Sequence, residues 1–176
     1  MKKIVFIFAL ILSTGMAFAQ SIFDKYEDYD AVTSVIATDE MFKLLKEIEP
    51  ESTEAKDEIS MLSDLTGLKV FATDDAKIGN EMKADADAYA KSKQMKELLR
   101  INDQGAKVRF YIIRSDKPHF AKQLVMIVNE LKSDKNHTIV MLVTGNIDLR
   151  KLSKLNKKVK IVDGKYFKKV EEEENE

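Results

Sequence analysis

The chain predicts an α+β domain of two layers, with about five mostly antiparallel strands and helices packed on one face. Three observations predict it. Short β-branched runs such as Ala31 to Thr38 and Ile139 to Val143 have the length and content of strands. Between the early runs lie stretches whose apolar residues recur at the helical period. The later runs are joined by polar turn clusters, Ser115-Asp-Lys-Pro118 and Ser133-Asp-Lys-Asn136, which favours an antiparallel meander.

In chain order, Ser21 caps a short helix with Ile22, Phe23 and Tyr26 on one side. The first strand, Ala31 to Thr38, ends at Asp39. That residue caps a helix in which Met41, Leu44, Leu45 and Ile48 form the apolar side, and Pro50 breaks it. Ser52 or Thr53 starts another helix, with Ile59, Leu62 and Leu65 inward and Gly67 as its end. Leu68 to Thr73 is the second strand. Its Val70-Phe-Ala-Thr-Asp74 echoes Val35-Ile-Ala-Thr-Asp39, the same strand-to-helix passage used twice.

A long helix is expected from Asp75 to Ile101. Ala84, Ala86, Ala88 and Ala90 give it propensity, and Met82, Tyr89, Met95, Leu98 and Leu99 are its candidate buried side. From Ala106 to Arg114, Val108, Phe110 and Ile112 alternate with Lys107, Arg109 and Tyr111, a strand with one face in the core. Phe120 to Glu130 fits either period; its polar-turn neighbours favour a strand, with helix as the alternative. After Ile139 to Val143, Gly145 frees the backbone and Asn146 is the expected N-cap of a short helix carrying Leu149, Leu152 and Leu155. Val159 to Phe167 reads as a small hairpin around Asp163-Gly164, and Glu171 to Glu176 as a disordered acidic tail.

Residues 1–19 read as a cleaved signal peptide. Met1-Lys2-Lys3 is the positive start, Ile4 to Leu12 the apolar centre, and Ala17-Phe18-Ala19 the small-residue cleavage site. The expected product begins at Gln20, has no transmembrane segment, and works in the periplasm or outside the cell. One domain over residues 20–170 is the expectation for a chain of this length. With no Cys there is no disulfide, no thiolate metal site and no cysteine nucleophile. The mature part holds 27 basic against 30 acidic residues, which gives no reason to expect a nucleic-acid partner.

Chemistry is sparse. His119 and His137 lie beside polar turns without ligand spacing, and Asp74-Asp75 and Asp85-x-Asp87 lack the glycine and distal glutamate of a calcium loop. Neither a metal nor a cofactor is expected, and no catalytic residue is assigned. No serine elbow or phosphate-cradling glycine loop occurs. The candidate contacts for an anion or a partner are Gly145 and Asn146, through amides at a helix start, and Arg150, Lys151, Lys154, Lys157 and Lys158. The latter open a lysine-rich stretch to Lys169 whose one acid is Asp163.

Phe23-Asp-Lys-Tyr26, followed by Val32-Thr-Ser-Val35 and Met41-Phe42, resembles the N-terminal pattern of a family of small exported proteins from Bacteroidetes-type bacteria, catalogued as a domain of unknown function. Thr144-Gly-Asn-Ile-Asp-Leu149 is similar to its C-terminal signature. The resemblance implies export and one α+β domain; it carries no activity and no functional residues. The reading that follows is a non-catalytic envelope protein that binds a protein or ligand. Two alternatives stand beside it: a hydrolase or transferase whose carboxylates meet only in the fold, and a binder of anionic polymers or membrane surfaces using Arg150 to Lys169.

Overall fold

The structure, a computed structural model, describes residues 22–50, 52–103, 105–132 and 135–151. Nine elements follow a 3-10 turn at Asp24–Asp28: β1 (Thr33–Ala37), α1 (Asp39–Lys46), α2 (Thr53–Leu62), β2 (Leu65–Thr73), α3 (Ala76–Ser92), β3 (Lys96–Asp103), β4 (Ala106–Arg114), β5 (Phe120–Lys132) and β6 (Lys135–Asp148). A second 3-10 turn, Leu149–Lys151, follows β6. The six strands form one antiparallel sheet in the order β1-β2-β6-β5-β4-β3.

The class is α+β as the sequence predicts, with one more strand and with helices against both faces of the sheet. Side chains alternate along a strand, so the register sorts them into rows. On the first face, Phe71, Val140 and Ile127 make one row, and Lys69, Leu142 and Val125 the next. Met82 and Ala86 of α3, with Phe23 and Tyr26 from the N-terminal turn, seal these rows into one apolar cluster. On the second face, Val70, Met141, Met126 and Phe110 form a row that belongs to another cluster, joined at its β2 side by Phe42 and Leu45 of α1. Because β5 and β6 are central and apolar toward both sides, Leu124 to Val128 and Ile139 to Val143 are unbroken buried runs.

Caps hold the helices where side chains supply them. Ser52 accepts from the Ala55 amide at 3.1 Å, and Asp75 accepts from the Ile78 amide at 2.8 Å, each relieving a donor the helix leaves open.

Four expectations are corrected. The long helix ends at Ser92 instead of Ile101: Gln94 turns to φ 52°, the Met95 amide returns to the Ala90 carbonyl, and the chain leaves as β3. There Leu99 and Ile101 gain a place in the second core while Leu98 is exposed. In α1 Phe42 is buried and Leu45 half-buried, while Met41 and Leu44, with Ile48 just past the helix end, face solvent. Leu65 and Gly67 belong to β2, not to a helix; the β2–β6 register shifts between them. Finally, Gly145 and Asn146 do not begin a helix. They continue β6, and the Asn146 amide donates to the Asp64 carbonyl at 2.8 Å. The strand expected over Phe120 to Glu130 is what the fold adopts, extended to Lys132. The leader, the helix past Lys151, the 159–167 hairpin and the acidic tail lie outside the described residues.

Candidate ligand-binding cleft

α3 is shorter than the sheet face it covers. Its 17 residues span about 26 Å at the helical rise, and they leave the last row of the first face uncovered. That row is Gly67, Thr144 and Gln123, one step beyond Lys69, Leu142 and Val125. The result is a cleft of about 840 Å³ between the C-terminal turns of α3, the sheet, and the β1–α1 junction. The volume falls in the range of sites that enclose a small molecule.

Its body is apolar: Ile36, Leu142, Ala88 and the Tyr89 ring line it, with Ile22 at the N-terminal side. Tyr89 is fixed from beneath by Phe23, whose ring centroid is 5.4 Å away at a tilt of 57°. Polar groups sit at the floor and rim. Gln123 donates its amide to the Tyr89 hydroxyl at 2.8 Å, and Thr66 donates to the Thr144 hydroxyl at 3.2 Å. Thr38, the residue before α1, makes no side-chain capping bond and opens on the same space.

The two lysines on the wall are not equivalent. Lys69 reaches Asp24 at 2.5 Å and Glu27 at 2.9 Å. Burial works to lower its pKa, but the two carboxylates outweigh it and the value is raised, so this cation is held and compensated. Lys93 stands 5.9 Å from the Tyr89 ring centroid and is exposed. Behind the wall, Tyr26 donates to Asp85 at 2.7 Å, and Lys25 pairs with Asp85 and Glu81 at 2.7 and 2.6 Å. This cluster clamps the N-terminal turn to α3.

The cleft offers little for acid–base chemistry. Asp39 is its one lining carboxylate, and Asp24 and Glu27, the carboxylates that hold Lys69, are not among the lining residues. Two carboxylates sharing a cavity, which the hydrolase alternative needs, are not brought together here. Among the described residues no group of three His, Asp or Glu side chains is placed to hold a metal. His137 pairs with Asp74 at 2.7 Å near the start of β6, whereas His119 precedes β5, opposite the end of β6. Ten residues of β5 separate those ends, about 33 Å.

The site residues expected from sequence lie elsewhere. Gly145 and Asn146 are in the body of β6, so no helix start presents their amides to an anion. Arg150 grips Asp148 with two bonds, 2.9 and 2.8 Å. Lys151 is in the closing 3-10 turn, and Lys154, Lys157 and Lys158 fall outside the described residues. What sequence reasoning missed is the cleft itself. Its signal was available: Gln123, Lys69 and Thr144 are polar residues within or beside otherwise apolar strands.

No described helix is long and apolar enough to cross a membrane. Comparison with curated proteins and with solved structures finds no match. A family model described as a domain of unknown function (DUF4252) matches residues 26–155, well over half of the chain, and the chain belongs to that family.

Proposed function

We propose that this is an exported, non-catalytic envelope protein that works by binding, and that the cleft beside α3 holds its ligand. The observation that carries the reading is the lining: an apolar body with hydroxyl and amide groups, a single carboxylate and the two lysines Lys69 and Lys93. Such a site retains an amphipathic molecule, apolar along its length and hydrogen-bonding at its head. Export rests on the positive, apolar and small-residue sequence of residues 1–19.

Ala88 gives the test. It is exposed on α3 and lines the cleft, so Ala88→Trp fills the space without touching the core. The mature protein is titrated with anilinonaphthalene sulfonate, a fluorescent probe with an apolar body and an anionic head. Saturable binding that weakens roughly tenfold in Ala88→Trp, with an unchanged thermal midpoint, supports the cleft. No binding, or equal binding by both proteins, contradicts it.

A further inference from the structure

The two edges of the sheet are built differently. β3, at one end, carries Lys96, Glu97, Arg100 and Asp103, and its pairing with β4 is shifted between Glu97 and Leu99. Charges and bulges of this kind are what keep a strand edge from recruiting another. β1, at the other end, is Thr33-Ser-Val-Ile-Ala37, with no charge and no proline, and it pairs with β2 in unbroken register. No described strand lies on its outer side, and Val35 is 54% exposed.

The charge around this edge is one-sided. Asp28 and Asp30 precede β1 and make no ion pair among the described residues, while Asp39 and Glu40 follow it and share the single cation Lys43. A second copy would set Asp28 and Asp30 of one chain against Asp39 and Glu40 of the other, so pairing of like edges is opposed. A strand with an uncharged, β-branched centre and basic ends is favoured at every position. We propose that β1 is a docking edge for such a segment of a partner protein, added to the sheet as a seventh strand. Main-chain hydrogen bonds would supply the affinity, and the bracketing carboxylates the choice of partner. This edge adjoins the α3 cleft, whose lining includes Ile36, Ala37 and Asp39, but strand addition does not depend on a ligand there.

The experiment uses the full mature protein and a labelled synthetic peptide, Lys-Lys-Val-Thr-Val-Thr-Val-Lys-Lys, followed by fluorescence anisotropy. Three further measurements accompany it: the same peptide N-methylated at alternate residues, the same peptide with Glu replacing Lys, and the Val35→Lys protein. Val35 is exposed, so that substitution leaves the core intact; its thermal midpoint verifies this. The proposal expects saturable binding that falls roughly tenfold or more in each of the three. Equal binding of the N-methylated peptide means that attraction is electrostatic only and overturns strand addition. Unchanged binding by Val35→Lys places the contact elsewhere and overturns it too. Preference for the Glu peptide, or concentration-dependent dimerisation that Val35→Lys abolishes, overturns the stated partner chemistry, and no binding at low salt overturns the proposal outright.

Discussion

Gly79 of α3 and Thr138 of β6 set how closely the long helix approaches the sheet. A Cβ at position 79 would stand 2.6 Å from the Thr138 Oγ1 and 3.0 Å from its Cβ. Thr138 is fully buried, and its hydroxyl accepts from Asn129 at 3.1 Å, so it has little room to turn.

Gly79→Ala separates two opposing effects. Helix propensity alone favours alanine by about 1 kcal/mol, whereas overpacking against Thr138 costs about 1–3 kcal/mol. The structure predicts that overpacking wins and the denaturation midpoint falls. A raised midpoint would show that the helix stands further from the sheet.

Gly145 has φ +130°, and a Cβ there would come within 2.6 Å of both the Asp64 carbonyl and the Leu65 Cα. These are backbone atoms and cannot rotate away. Gly145→Ala is therefore expected to destabilise by about 2–4 kcal/mol, more than Gly79→Ala. Urea unfolding of both variants ranks them.

The Tyr26 clamp makes alkaline stability a readout of the N-terminal turn. Burial raises the Tyr26 pKa well above 10.0, and Asp85 raises it further; the hydrogen bonds from Lys25 to Asp85 and then Glu81 raise that lysine's pKa too. Both groups hold their protons more tightly when folded. Their stabilisation is complete below about pH 10 and is lost as pH rises above it. Tyr26→Phe removes one hydrogen bond, about 1 kcal/mol at neutral pH, and should lose less stability than wild type between about pH 8 and about pH 11. Parallel curves would place the titration elsewhere.

The proposed export has a direct chemical signature. The protein recovered from its native host is expected to begin at Gln20, read by intact mass and N-terminal sequencing. Retention of residues 1–19 would contradict the cleavage site at Ala17-Phe18-Ala19.

Much of the sheet was legible because β-branched runs and turn clusters report local preference, and five strand positions were readable from them. β3 was not. Ser92-Lys-Gln-Met95 contains neither glycine nor proline, so nothing local marks the end of α3, and Leu99 and Ile101 fit a helix as well as a strand. Tertiary pairing with β4 decides between them. Thr144-Gly-Asn146 misled for a related reason. Glycine followed by asparagine suits a helix entry and equally a strand whose neighbour passes too close for a side chain; β5 is long enough to keep β6 paired to Asp148. In α1 the apolar residues cover more of the helix than the sheet contacts, so periodicity named the helix but not its inward side. Polar Gln123, Lys69 and Thr144 marked the strands, but not the cleft, whose place depends on where α3 stops relative to a row of residues from three strands.

Native mass spectrometry of the protein purified from its native host, beside Ala88→Trp prepared in the same way, tests the cleft most directly. Wild type is expected to carry a non-protein mass of small-molecule size, and Ala88→Trp to carry none. The same bound mass on both proteins, or none on either together with no probe binding, would contradict a ligand site beside α3.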